Sequence, residues 1–273
     1  MASVARLCRA TRVDRVCKVS ALRPRLRRPA PPKRADGIIV ASLSLRGVHV
    51  DRILEPEIMD GQAEADAYAR ADFADSNQWY ADHFAAEYPE HLKEIVDLGC
   101  GPADVTLRVA RLAHHGRIVA VDGSPAMLEF ARQAIHSARL SQRITLHLGR
   151  LPGLSLPEQH FDAVLSKDML HHLPDPQVLW SEARRLGKPG AAVFVMDLVR
   201  PDSPFEAREI VERVAGKEHP ILKEDFYNSL CAAFTVSEVR GQLEAAGLPL
   251  TVEQATARHM RIKGVLQEPV VKT

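Results

Sequence analysis

Two acids and two glycines at fixed spacing are the first residues in this chain whose types suggest chemistry. Asp97-Leu98-Gly99-Cys100-Gly101 is followed by Asp122, twenty-five residues after Asp97. Paired glycines let a backbone approach a ligand closely, because a residue without Cβ leaves room and accepts left-handed φ. A carboxylate at the later position can take two hydrogen bonds from a ribose diol, the recognition that a nucleoside requires. A third feature is the pair His171-His172. Imidazole takes a proton near neutrality and suits general-base work, so both are candidate catalytic residues. The same His-His-Leu-Pro run also suits a turn fixed by hydrogen bonds, and both readings stand.

These residues are useful only if strand-to-helix loops carry them, and the sequence provides such loops. Glu94 to Leu98, Arg117 to Asp122, Ile144 to Leu148, Phe161 to Ser166 and Ala191 to Asp197 are short apolar or β-branched runs that read as strands. Helical segments separate them: Asp104 to Ala113, a segment opened by Ser124-Pro125, and one opened by Asp175-Pro176 and running to Leu186. Regular alternation of this kind implies a doubly wound, mostly parallel sheet with helices on both faces. Further helices are expected from about Pro204 to Val214 and after the capping box Thr235-Val236-Ser237-Glu238, ended by Gly247. Leu250 to Glu253 and His259 to Lys263 read as a closing hairpin. In such a sheet ligands sit beyond the carboxyl ends of the strands, where the glycines, Asp122 and the histidines all fall.

The next residue narrows the ligand. A dinucleotide fingerprint needs glycine or alanine at position 104, but the residue is Asp104, a poor neighbour for pyrophosphate at a helix N-terminus. A phosphate ligand is therefore disfavoured, whereas a cationic nucleoside is compatible with Asp97 and Asp104.

The chain has 273 residues, 46% of them hydrophobic, enough for one large domain with appendages. Its formal charge of +1 hides an asymmetry: residues 1–50 hold 12 Lys or Arg against two acids, which leaves the remainder at about −9. Residues 1–45 read as a basic, structureless leader with three open interpretations: an organellar transit peptide, a nucleic-acid-binding arm, or a start assigned too far upstream. Residues 46–92 are expected to form a helical N-terminal cap. Its aromatic series, Tyr68, Phe73, Trp79, Tyr80, Phe84 and Tyr88, is either ordinary core or a lid over a ligand. Residues 93–273 form the main domain. The four cysteines make no C-x-x-C pair, which favours a reducing compartment, and no apolar run has membrane-spanning length. A cytoplasmic location is expected, or an organellar one if the leader is a transit peptide. No metal-ligand spacing is legible.

The motifs together resemble those of the class I S-adenosylmethionine-dependent methyltransferases. Ile95 to Pro102 is similar to that family's first motif, Val119-Ala120-Val121-Asp122 to its second, and Phe161 to Ser166 with Leu170-His171-His172-Leu173 to its fourth. Leu186-Gly187-Lys188-Pro189-Gly190 resembles the turn before its fifth strand. The resemblance covers about residues 90–200. It implies a seven-stranded α/β fold with an N-terminal lid and S-adenosyl-L-methionine as cofactor. It also implies a cofactor site built from Asp97, Gly99, Cys100, Gly101, Asp122, Gly123, Arg150, Leu151 and Ser166. Many members carry an acid where Arg150 stands, so the adenine contact is a departure. Ser166-Lys167-Asp168-Met169 replaces the Asn-Pro-Pro-Tyr-like stretch of nucleic-acid methyltransferases, and the acidic body also disfavours a phosphate backbone as partner. The expected acceptor is therefore a small molecule, bordered by Asp66 to Trp79 and by Pro201 to Phe234, where Glu224 to Ser229 reads as either acceptor contact or surface turn. Arg258-His259 reads as either substrate contact or strand surface. Two other classes remain open: a nucleotide-dependent oxidoreductase and a methyltransferase-like binding protein without activity. The oligomeric state and the identity of the acceptor are not legible.

Overall fold

The computed structural model describes residues 51–55 and 73–267. The leader at 1–45 and Tyr68 lie outside them. Among the described residues the first helix is α1 (Ala74–Glu87), followed by β1 (Glu94–Leu98), α2 (Asp104–Leu112), β2 (Arg117–Asp122), α3 (Pro125–Ser137), β3 (Ile144–Leu148) and β4 (Phe161–Lys167). It continues through α4 (Gln177–Leu186), β5 (Gly187–Leu198), α5 (Pro204–Ala215), α6 (Pro220–Ala232), α7 (Val236–Ala246), β6 (Thr251–Gln254) and β7 (His259–Val265). The sheet has seven strands in the order β3-β2-β1-β4-β5-β7-β6. β1 to β5 run parallel, and β7 is antiparallel to both β5 and β6.

Period-two alternation divides the sheet between two cores. Val96 and Leu98 of β1, Val164 of β4, and Val193 and Val195 of β5 face the side covered by α4 and α7, with Trp180, Leu186 and Leu243. Ile95, Ala163, Leu165, Ala192, Phe194 and Met196 face the side covered by α1, α2 and α3. Local chemistry starts the helices where the sequence placed them. Ser124 Oγ accepts from Met127 N at 3.3 Å with Pro125 at the first helical position, and Thr235 and Glu238 form a reciprocal capping box. Gly247, at φ 58°, ends α7 in the left-handed conformation that glycine adopts most easily.

One element differs from the sequence reading, and a second is decided between the two readings it was given. The stretch containing Glu224 to Ser229 lies within α6, opened by Pro220, with His219 Nδ1 accepting from Ile221 N at 3.3 Å. It is neither a loop nor a surface turn. The aromatic series of α1 is core: Tyr80 and Phe84 are fully buried, and the Tyr80 hydroxyl donates to the Phe194 carbonyl of β5 at 2.6 Å. Among the described residues no helix is long and apolar enough to cross a membrane.

If α1 is structural, Phe84→Ala is expected to destabilise the chain by about 3–5 kcal/mol in urea unfolding, the usual cost of deleting a buried aromatic. A cost below about 1 kcal/mol would mean that the helix is a detachable flap.

Candidate functional site

The strand order reverses between β1 and β4, and the loops after β1, β2, β4 and β5 converge at that crevice. The loop after β1 crosses the end of β2, where the amides of Gly99 and Cys100 both donate to the Val121 carbonyl at 2.9 Å. Gly99 (φ 78°) and Gly101 (φ 52°) are left-handed. A Cβ on Gly99 would lie 2.6 Å from Met169 Cγ, so only glycine lets the loops after β1 and β4 close on each other. Among the described residues, two of the four non-glycine residues with left-handed φ stand at these same strand ends, Ala103 (φ 67°) and Asp168 (φ 54°). Strain of this kind concentrates where structure serves a ligand.

Two carboxylates anchor the crevice. Asp97 is 2% exposed, and its Oδ2 accepts from Thr106 Oγ1 of α2 at 2.5 Å. Burial raises its pKa to about 6, the Thr106 hydroxyl pulling against it and Asp122 adding repulsion. Asp122 accepts from Gly101 N at 2.8 Å through one oxygen and from Ser124 N at 2.9 Å through the other. Burial also pushes Asp122 above its ordinary value, against the pull of the Ser124 and Gly101 amides and of His172. The Gly123 amide is a third, lesser donor to this carboxylate, which offers about four acceptor positions in all.

The other sequence-derived positions divide. Gly123 lies beside Asp122, and a Cβ there would meet Arg150 Cγ at 3.0 Å, so the arginine stem covers the end of β2. Leu151 packs against the core on the α4 side. Cys100 is buried, and burial raises its thiol well above the usual range, which makes it inert. Ser166 is fully buried and its hydroxyl donates to the Leu98 carbonyl at 2.8 Å, so it ties β4 to β1 beneath the loop. Asp104 Oδ2 is occupied by Asn77 Nδ2 at 2.8 Å and Arg108 Nε at 3.0 Å, which joins α1 to α2.

The histidines occupy the other side of the crevice, on a short 3-10 turn from Leu170 to His172. His171 is buried, with its Nδ1 2.7 Å from Asp197 Oδ1. Asp197 also accepts from Leu170 N at 2.7 Å and Leu198 N at 2.8 Å, so the imidazole Nδ1 must be the donor and Nε2 keeps its lone pair. Burial lowers the His171 pKa, but Asp197, with Glu55 and Asp168 behind it, reverses the sign and leaves it raised. His172 Nδ1 lies 2.7 Å from Glu55 Oε2, and the two histidine rings are 4.1 Å apart. Burial pushes Glu55 up, and contacts with His172, His171 and Ser229 outweigh it, leaving the pKa lowered. Asp168 is half-buried; desolvation pushes it up, but Lys167 and His171 overcome that and hold its pKa down, while Oδ1 has no hydrogen-bond partner among the described residues. His259 is driven down to about 4, chiefly by burial, which makes it a neutral wall residue.

Sequence reasoning missed Glu55, Asp168 and Asp197. Asp197 had a usable signal, an acid at the carboxyl end of a buried strand. Glu55 had none, because only the tertiary fold brings residues 51–55 to the turn after β4.

Residues 96–195 match the family model described as a methyltransferase domain. The chain is 30% identical over 129 residues to a demethylmenaquinone methyltransferase of Symbiobacterium thermophilum, covering 47% of this chain and 51% of that protein. It is 30% identical over 125 residues to a ubiquinone biosynthesis O-methyltransferase of Xanthomonas campestris, covering 45% and 51%. The chain thus spans about half the length of these relatives. A SAM-dependent methyltransferase from Aquifex aeolicus shares the fold with a TM-score of 0.58 at 16% identity, covering 76% of this chain and 98% of that one. The plantazolicin methyltransferase BpumL, solved with SAH and a triazolic desmethylPZN analog, does so with a TM-score of 0.59 at 12% identity, covering 76% and 91%. Residues 96–195 are therefore similar to a methyltransferase domain, on a fold shared with solved SAM-dependent methyltransferases.

Gly99→Ala should lose at least about 2 kcal/mol in urea unfolding, from left-handed strain and collision with Met169. The double variant Gly99→Ala/Met169→Ala should recover the collision part. Simple additivity of the two losses would show that the loops do not press on each other there.

Proposed function

We propose that this chain transfers a methyl group from S-adenosyl-L-methionine to a small-molecule acceptor. The observation that carries the reading is the pairing of a buried Asp97 with a glycine cradle that a Cβ would fill and a preorganised Asp122. These residues fit the cofactor. Gly99 and Gly101 give its methionine end a close approach to backbone. The acceptor capacity left on Asp122 suits a ribose diol, and Asp97 supplies negative charge for a cation in a dry setting. Gly123, Arg150 and Leu151 would border the adenine, with the planar guanidinium suited to stacking on a ring where an acceptor carboxylate is lacking.

When bound, S-adenosylmethionine supplies an electrophilic methyl on a sulfonium. The chain's own contribution is alignment and exclusion of water. Met169 and the loop after β4 close over Gly99, and residues 51–55 strap the far side through Arg52, which donates to the carbonyls of Ala232, His171 and Leu173. The division into an N-terminal cap at 46–92 and a catalytic domain at 93–273 is part of this proposal, supported on the described side by the strap at 51–55 and by α1. In the metal-free chain His171 and His172 are the groups able to take a proton from an acceptor that has one to lose, with Asp197 and Glu55 stabilising the imidazolium. The relatives' printed names give the first acceptors to assay, demethylmenaquinone and quinone precursors of ubiquinone biosynthesis. The free, buried Cys100 and Cys231 support a reducing compartment, the cytoplasm unless residues 1–45 direct the chain to an organelle.

Calorimetric titration should give saturable binding of S-adenosylmethionine and none of nicotinamide dinucleotides. The reverse result would replace this reading with an oxidoreductase. Asp122→Ala should weaken cofactor binding by about 1–3 kcal/mol through lost charge-assisted hydrogen bonds, and unchanged affinity would remove Asp122 from the site.

A further inference from the structure

We propose that Glu55, His171 and His172 form a binding site for a divalent first-row transition-metal ion of the zinc class. Each of the three offers one ligand atom, and these atoms all lie within 4.8 Å of one another. Metal-to-ligand bonds of about 2.0–2.1 Å put neighbouring ligands of a tetrahedral ion roughly 3.4 Å apart, so small side-chain movements would complete the set.

The surroundings prepare the three groups for this role. Asp197 holds His171 through Nδ1 at 2.7 Å, which fixes the tautomer and turns the other nitrogen into a ligand. A carboxylate behind a histidine is the usual support of a metal-binding imidazole. Ser229 Oγ donates to Glu55 Oε1 at 2.8 Å and leaves Oε2 available. Glu55 Oε2 and His172 Nδ1 are 2.7 Å apart, yet the approach is not aligned as a hydrogen bond, and both atoms are buried without another partner among the described residues. Burying the two without a well-aligned hydrogen bond costs free energy, which an ion drawing them slightly apart would offset. A proton can sit there in the metal-free chain, and a cation would displace it.

The backbone that delivers Glu55 is pinned for the purpose. Arg52 Nε donates to the Ala232 carbonyl at 2.6 Å, its other nitrogen donates to His171 O and Leu173 O at 2.9 Å each, and its guanidinium lies 3.9 Å over the Phe234 ring. Ile53 N donates to the Cys231 carbonyl at 3.1 Å. Two imidazoles and one carboxylate favour transition ions over magnesium or calcium, which prefer oxygen throughout. Three protein ligands also leave a coordination position open for solvent or an oxygen ligand.

The test is made without cofactor, so its outcome is independent of the methyl-transfer reading. Tag-free, full-length chain is stripped with a chelator and titrated with Zn²⁺ against a chromophoric competitor, and with Co²⁺ while visible d–d absorption is followed. The expected result is one ion per chain at saturation, intense tetrahedral-type cobalt bands, and a rise in Tm on adding Zn²⁺. Glu55→Gln and His172→Ala should each weaken binding at least about 10-fold and lose the cobalt bands, while urea unfolding verifies that both are folded. Asp197→Asn, which acts through His171, should weaken binding less than His172→Ala does. Equal affinity in the parent chain and both ligand variants, or no saturable binding by the parent, would overturn the proposal.

Discussion

Asp97 lies at the carboxyl end of β1 with its carboxylate out of water, held by one threonine hydroxyl and facing a second acid across the crevice. Raising a carboxyl from 3.8 to about 6 corresponds to on the order of 3 kcal/mol against the charged form. The sign follows directly. In the ligand-free chain the protonated acid favours the fold, a contribution fully present below pH 3.8 and lost as pH rises through about 6. Near neutrality the chain therefore holds an anion at some expense. A bound cation at that place would remove the strain, which is why a sulfonium cofactor fits this crevice better than a dinucleotide.

The sheet makes this arrangement possible. Because β1 and β4 are neighbours with oppositely directed crossovers, the loops after both open into one space, and Met169 can press on Gly99. Because β4 and β5 are neighbours, the acid that ends β5 lies beneath the histidine that follows β4. The left-handed backbone at Ala103 and Asp168 is tolerated because β1, β4 and β5 are buried on both faces and over-determine the loops between them.

Much of this was legible in the sequence, and the reason differs by element. β1 to β5 are short apolar runs bounded by Gly, Pro or capping residues, so period and punctuation agree. The capping box at Thr235 and the Gly247 stop are local chemistry and were readable as such. Asp97, Gly99, Gly101 and Asp122 were legible because strand ends fix where a ligand must lie. Ser166 carried no local sign that its hydroxyl is taken by the next strand. α6 was missed because its polar and aromatic residues follow no strong helical stripe, and its proline start follows a His that caps less often than Ser or Asp. The pairing of Glu55 with His172 depends on long-range packing of residues 51–55, which no local pattern encodes.

The most direct test is the proton balance of S-adenosylmethionine binding near pH 6, from calorimetry in buffers of different ionisation enthalpy, for the parent chain and Asp97→Asn. If the cofactor's positive charge sits against Asp97, the parent should release a fraction of a proton on binding and gain affinity between pH 5 and 7. The Asn variant should bind more weakly, with that release and pH dependence reduced. A parent chain that binds with no proton release and the same affinity across that range, matched by the Asn variant, would contradict the account.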